Sequence, residues 1–325
     1  MMKRGLARTI LAAVSVATIL QTQDTSAQQS PPSWAFPVNP AGVPPAADDG
    51  TLHRVPGSAA TFSRPQLSDL FNAPDWHPED HPPMPSIVSH GRKPAAYACG
   101  YCHLPTGTGR PENASLAGLS VDYIVRQMAD FKSGARKTTV PARLPAAFMV
   151  SVAKAATDDE IAAASAYFSS LKPKSYIRVV EANSVPKTHV TGWILAASKN
   201  GGTEPIGQRV VEVPEDVYRF ELRDGRTEYV AYVPVGSIRK GATLVETGGA
   251  GKTIPCASCH GPELNGLGLA PRIAGRSPSY IVRQLYDIKS GARAGVSSQL
   301  MKPVVANLSN EDIVSIAAYL VSRSP

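Results

Sequence analysis

The sequence predicts a mainly α chain: two tandem copies of one small helical domain, joined by a small β-rich segment and preceded by a proline-rich arm. Three observations predict it. "CGYCH" at 99–103 recurs as "CASCH" at 256–260, and these two stretches hold all four cysteines. A shift of 157 residues also aligns "DYIVRQMADFKSGAR" (122–136) with "SYIVRQLYDIKSGAR" (279–293), which marks a duplication and not a chance pentapeptide. Between the copies, short β-prone runs are broken by Gly, Pro, Asn and Asp.

Residues 1–27 have the form of a secretory signal: the basic "MMKRGLAR", the short apolar "TILAAVSVATIL", then small residues at Thr25 and Ala27 before a cut. The apolar run, Thr9–Leu20, is too short to cross a bilayer comfortably, and no other window is apolar enough to span. The expectation is therefore a soluble, exported chain. Residues 28–83 are rich in proline and read as an extended arm over the first domain. Its "DWHPEDHPPMP" places His77, Asp80 and His81 together; a solvated, proline-stiffened segment explains them better than a metal site. His53, His90 and His189 have no partner in the repeat and read as surface residues.

The first copy spans 84–173 and the second 236–325. Each opens with a short helix before the cysteine motif, "PSIVSH" (85–90) or "GATLVETG" (241–248), and a loop rich in Gly and Pro follows the motif. The next helix presents Tyr123, Ile124, Gln127, Met128 and Phe131 at helical spacing, Gln127 being the polar exception, and stops at Ser133–Gly134. The last helix opens on a capping-box pattern, Thr157–Glu160 or Ser309–Asp312. Its buried face reads as Ile161, Ser165, Phe168 and Leu171, or Ile313, Ile316, Ala317 and Leu320. In 174–235, "SYIRVVEA", "HVTGWILAA", "QRVVEVP", "VYRFELRD" and "TEYVAYVP" predict strands of a small separate sheet. Such a segment serves as a spacer between the domains or as a docking surface. "GGAGKT" (248–253) lacks the glycine a phosphate loop needs, since Glu246 stands there.

Export normally turns cysteines into disulfides, but two disulfides leave the adjacent histidines unexplained. A zinc site of two C-x-x-C pairs would have to join segments 157 residues apart. C-x-x-C-H as a covalent c-type haem attachment explains both features. Thiols three residues apart share one side of a helical turn and bond along one porphyrin edge, and the following histidine is placed under the iron. The sequence thus assigns two covalently bound haem c groups, with Cys99, Cys102, Cys256 and Cys259 as attachment points and His103 and His260 as proximal iron ligands.

Met149 and Met301 are the methionines that occupy equivalent places, each twelve residues before the first isoleucine of the last helix and each in a proline-containing loop. A core methionine is the commoner fate, as for Met128, whose counterpart is Leu285. Repeat equivalence makes Met149 and Met301 the candidate sixth ligands, and a His/Met pair raises the haem potential. Five extra residues precede Met149 in the first copy. Arg126 and Arg283 are also equivalent and read either as propionate partners or as a solvated face.

These residues resemble the two-domain, two-haem class I cytochromes c of bacteria, of the c4 type. The second copy carries the resemblance most fully, from "CASCHGPELNG" through "APRIAGRSPSYIVRQLYDIKSGAR" to "LMKP" and "LSNEDIVSIAAYL"; the first is looser, with "CGYCHLPTGTGRPENASLAG". The resemblance implies tandem class I cytochrome c domains that transfer electrons in the periplasm. It also implies that the Pro271 carbonyl accepts a hydrogen bond from His260; Ala114 stands at that place in the first copy.

The functional expectation is a periplasmic carrier of single electrons between a protein donor and a protein acceptor, with docking to a membrane-bound oxidase or dehydrogenase as an option. Two alternatives are a dihaem cytochrome c peroxidase-like enzyme, which needs a releasable sixth position, and the cytochrome subunit of a periplasmic dehydrogenase. Formal charge is +7 from 33 basic and 26 acidic residues, and +5 once Lys3, Arg4, Arg8 and Asp24 of the leading segment are left out. That is mild, and no aromatic-interleaved basic stripe argues for nucleic acid. Four propionates would bring the loaded protein close to neutral, so partner attraction would come from local patches.

Overall fold

The computed structural model describes residues 31–42 and 47–325. The signal reading of residues 1–27 lies outside them. Among the described residues no helix is long and apolar enough to cross a membrane.

Among its described residues the arm carries one short α-helix, α1 (Arg64–Ser68). The first copy follows as α2 (Ser86–Ser89), α3 (Cys99–His103), α4 (Val121–Ser133), α5 (Pro145–Ala155) and α6 (Asp158–Ser170). Gly134 ends α4 in the left-handed region at φ 78°, where a side chain would be strained. Thr157 closes a full capping box with Glu160 at the start of α6. The core gathers Val88, Leu119, Ile124, Phe168 and Leu171. Ser165 is as deeply buried as expected, and Ile161 is half-buried.

The second copy comprises α8 (Ser237–Thr247), α9 (Ala257–His260), α10 (Pro278–Lys289), α11 (Val296–Gln299), α12 (Lys302–Ala306) and α13 (Asn310–Val321). Ser309 and Asp312 form the second capping box. Ile313, Ile316, Ala317 and Leu320 are all buried. Helices α8 and α13 cross closely at Gly241, which faces the Ser315 carbonyl. Where the first copy has one helix, α5, the second has two. Pro303 sits in the first turn of α12 and forces a fresh start there, whereas its counterpart, Ser151, lets α5 run on.

The intervening segment forms β1 (Ile177–Glu181), β2 (Ser184–Pro186), β3 (Thr188–Thr191), β4 (Ile194–Ala197), β5 (Thr203–Pro205), β6 (Val211–Pro214), α7 (Val217–Glu221) and β7 (Tyr229–Val233). The central β7 pairs parallel with β1 and antiparallel with β6. Two hairpin-like pairs, β2 with β5 and β3 with β4, complete it. The expected run "HVTGWILAA" is thus a hairpin turning at Gly192–Trp193. "VYRFELRD" is a helix and not a strand. Asp216 accepts from the backbone N–H groups of Tyr218 and Arg219 at 2.9 and 3.1 Å, a helix cap that outweighs the alternating pattern. Nor is the segment separate: Val210 and Val233 enter the core of the second copy.

The arm departs furthest from expectation. It is packed, not solvated. Trp76, Val55 and Leu67 bury against Leu222, and the Trp76 indole donates to the Leu222 carbonyl at 2.8 Å. Ala35 and Phe36 lie in the core of the second copy. His53, expected at the surface, is buried and bonds the Tyr218 hydroxyl at 3.0 Å. His77 is buried and paired with Asp224 at 3.1 Å, His81 meets Asp75 at 3.1 Å, and Asp80 is held by Arg226 at 2.7 Å. These pairings engage one nitrogen each of His53 and His77, and among the described residues no cluster of three metal-binding side chains occurs. His90 and His189 are exposed, as expected.

Candidate functional site

The two cysteine motifs fold alike. Helix α3 is a single turn and a half, which puts Cys99 and Cys102 on one side with His103 closing it. After the histidine the chain reverses through a left-handed residue: Leu104 at φ 63° in the first copy, Gly261 at φ 81° in the second. Glycine takes that conformation freely, while leucine there costs about 1 kcal/mol. The loop then returns to each histidine with the same bonds. The amides of Gly109 and Gly266 donate to the His103 and His260 carbonyls at 3.0 and 2.9 Å.

The histidine rings are held identically. His103 Nδ1 donates to the Ala114 carbonyl at 2.8 Å, and His260 Nδ1 donates to the Pro271 carbonyl at 2.7 Å. Replacing proline by alanine has therefore kept the contact. A carbonyl partner fixes the proton on Nδ1 and leaves Nε2 with its lone pair, the form that binds a metal. Burial pushes His103 down to about 4 and His260 in the same direction, so both rings are neutral at physiological pH. No cysteine forms a disulfide, and burial raises the Cys99 thiol to about 12 and Cys256 to about 11.

In the first copy Cys99, Cys102, His103 and Met149 line one cavity, with Ile124, Val152 and Phe168 among its apolar walls. Met149 is not in a loop: it lies within α5. In the second copy Met301 is the residue that caps the start of α12, and it packs with Cys256 against the second core. An adjoining cavity also touches His103 and Met149 and is lined by Arg136, Arg143, Arg276 and Arg283. Arg143 and Arg276 are buried, and each has an Nε without a hydrogen-bond partner. Burial drives the Arg143 guanidinium well below its usual range. Buried cations with unspent donors beside an apolar cleft call for anions at its edge. Two thiols, an imidazole, a thioether and these guanidiniums fit a haem with its two carboxylates.

Arg126 and Arg283, equivalent in sequence, part company. Arg126 is exposed; Arg283 is buried and donates to the carbonyls of Ala35 and Pro111, tying the arm to the first copy.

The repeated "YIVRQ" and "KSGAR" segments have a purpose that sequence reading did not assign. They meet across a local two-fold axis. The Lys137 amide donates to Ala292 and the Ala294 amide to Ala135, both at 2.7 Å and mutually related by the 157-residue shift. Arg136 reaches the Tyr280 hydroxyl at 3.0 Å and Gln284 at 3.0 Å; Arg293 reaches Tyr123 at 3.1 Å and Gln127 at 3.0 Å. The polar Gln127 on an otherwise apolar face is explained by this interface. Burial pushes the Tyr280 phenol up, yet the guanidiniums of Arg136, Arg276 and Arg293 bring it below its ordinary value. The signal was available: near-identity of two surface-facing segments in otherwise divergent copies. For Arg110, Trp193, Phe220 and Arg223, which also surround the first cysteine motif, no repeat signal exists.

Residues 240–320 match the family described as cytochrome C oxidase, cbb3-type, subunit III. Cytochrome c4 of Azotobacter vinelandii is 27 % identical over 231 residues, covering 69 % of this chain and 84 % of that one. Cytochrome c-554(548) of Halomonas halodenitrificans is 37 % identical over 76 residues, covering 23 % of this chain and 92 % of the relative. Among solved structures, the thiosulfate dehydrogenase TsdBA of Marichromatium purpuratum in its as-isolated form aligns with a TM-score of 0.50 at 26 % identity, over 73 % of this chain. This chain spans 39 % of that protein.

Proposed function

The chain belongs to the two-haem c-type cytochromes of the c4 kind, and from that premise we propose that it carries single electrons between protein partners in the periplasm. Each haem, when bound, supplies a one-electron ferrous/ferric couple. Everything else is the work of the chain. Cys99 with Cys102, and Cys256 with Cys259, hold the two groups covalently. His103 and His260 present Nε2 to the metal because a backbone carbonyl occupies Nδ1. Met149 and Met301 would supply a thioether to the metal, a soft sulfur that favours the ferrous state. The buried arginines around the first cavity receive carboxylates.

The observation that carries this reading is the duplicated histidine geometry, 2.8 and 2.7 Å to loop carbonyls eleven residues downstream in both copies. Met149 lines the first cavity together with His103, so a thioether would be at hand for the iron there, which supports a carrier over a peroxidase. The signal-like pattern of residues 1–27 and the two C-x-x-C-H motifs support the periplasmic location. Likeness to a thiosulfate dehydrogenase structure supports a second reading of the same chemistry, in which the donor is a periplasmic dehydrogenase and this chain is its cytochrome partner.

Two measurements test the proposal. The intact mass of protein matured in a host able to attach haem is expected to exceed the mature polypeptide mass by two haems. A redox titration is expected to resolve two one-electron steps. A bare polypeptide mass would overturn it.

A further inference from the structure

The two cysteine motifs fold alike but lie in different surroundings, and positions 157 residues apart serve as mutual controls. Arg110 is 4 % exposed and Glu112 7 %; their counterparts Leu267 and Leu269 are 62 % and 41 % exposed. Tyr101 is buried while Ser258 is exposed, and Cys102 is half-buried while Cys259 is exposed. The cover over the first copy comes from the segment between the domains. Arg223 lies over the Tyr101 ring at 3.7 Å and donates through Nη1 to the Tyr101 carbonyl at 3.0 Å. Arg110 stacks on the Phe220 ring at 3.9 Å, donates to the Phe220 carbonyl at 3.3 Å, and pairs with Glu112 at 3.1 Å. Arg223 and Trp193 line the same cavity as Cys99, Cys102 and His103.

The backbone of Arg223 reinforces the point. It holds φ at 59°, in the left-handed region that costs a non-glycine residue about 1 kcal/mol. Such strain persists where contacts on both sides fix it, and it tends to mark functional positions.

We propose that Arg223, Arg110 and Phe220 seal the cysteine edge of the first haem, so that exchange with outside partners runs through the second copy. The inference rests on the electron-carrier reading. Bonds to Cys99 and Cys102 fix one porphyrin edge beside those sulfurs. Electron exchange falls exponentially with edge-to-edge distance. A layer of side chains with the α7 backbone behind it lengthens the outside path at Cys102, whereas Cys259 is already at the surface. The first copy then communicates through the Arg136–Arg293 interface. The segment between the domains thereby gives a symmetric pair of carriers one port instead of two.

The test uses full-length chains carrying one haem each. Cys256→Ser/Cys259→Ser retains the first, and Cys99→Ser/Cys102→Ser retains the second. Each reduced protein is mixed with ferricyanide, which takes one electron and leaves as ferrocyanide. A cationic tris(phenanthroline)cobalt(III) series separates occlusion from charge. The first-haem chain is expected to react about tenfold more slowly than the second with both reagents, a barrier difference of about 1.4 kcal/mol. Adding Arg223→Ser/Phe220→Ala is expected to close the gap in the first-haem chain and to leave the second-haem chain unchanged. Equal rates in the parent pair, or no acceleration by the opening variant with either reagent, would overturn the proposal. Should a single-haem chain fail to mature, the two-haem protein gives the same answer. One phase is expected to scale with reagent concentration and the other not, and in Arg223→Ser both should scale; two reagent-dependent phases in the parent would refute the seal. The electron-carrier reading fails separately, through an intact mass without haem.

Discussion

Gly241→Ala sets helix propensity against helix packing. Helices α8 and α13 cross at this glycine. A methyl group there would collide with the Ser315 carbonyl oxygen and lie 2.7 Å from the Tyr319 Cβ, where real Cβ contacts essentially never fall below 3.0 Å. The obstacle is backbone and cannot rotate away, so the helices must part by roughly 1 Å in a close-packed core. Alanine recovers about 1 kcal/mol of helix propensity. Overpacking costs up to about 3 kcal/mol, and a backbone obstacle points to the upper end. The expected net loss is roughly 2 kcal/mol. It should fall on the second copy, because α8 also anchors the Cys256 amide through the Val245 carbonyl at 2.8 Å. Denaturant unfolding of the holoprotein, followed through haem absorption and backbone circular dichroism, should show the lowered midpoint. An unchanged or raised midpoint would refute the close crossing.

Met149→Leu and Met301→Leu should each remove the sulfur-to-iron near-infrared band from one haem and lower that haem's potential, the double variant losing both bands; a band untouched by either substitution excludes that methionine as a ligand. Arg143→Gln removes a buried cation beside the first cavity. A nearby cation disfavours ferric iron, so one of the two midpoint potentials should fall and the other hold; a rise would contradict the assignment. Asp312 provides a pH test. Burial pushes its carboxyl up, but Lys252, Ser309 and Lys240 hold it far below the usual carboxylate range. Its folded value is depressed, so the stability it contributes is present above the ordinary carboxylate pKa and lost as pH falls below it. The denaturant midpoint should therefore fall less steeply on acidification in Asp312→Asn than in the parent, and parallel profiles would count against it. Ser309→Ala, which deprives the same carboxylate of a donor at 2.7 Å, should cost about 1 kcal/mol or more, measured by thermal unfolding.

What could be read from the chain was whatever the duplication wrote twice. Both capping boxes and the Gly134 stop follow local rules that the 157-residue shift exposes, and the His260 contact with the Pro271 carbonyl was implied by the family resemblance; all are in the structure. Met149 and Met301 were findable for the same reason, though their local structure was not, because it turns on one proline, Pro303. What occurs once was harder. The alternation in "VYRFELRD" suits a strand as well as a short helix, and the Asp216 cap decides between them. The arm reads as polar and proline-rich, yet Trp76, Phe36 and Val55 give it enough apolar surface to dock on partners distant in sequence. Its buried His77–Asp224 pair joins residues 147 apart, which no local pattern reveals. Arg223 and Arg110 gain their roles only from one another's neighbours. The two-fold Arg136–Arg293 contact was written in the repeat, but its meaning required seeing the copies face each other.

The most direct test of the account is near-infrared magnetic circular dichroism of the fully oxidised, two-haem protein, with intensity calibrated per iron. Two equivalents of low-spin iron held between imidazole and thioether are the predicted result. A five-coordinate or high-spin component, or a nitrogen-only ligand pair, at either haem would contradict it.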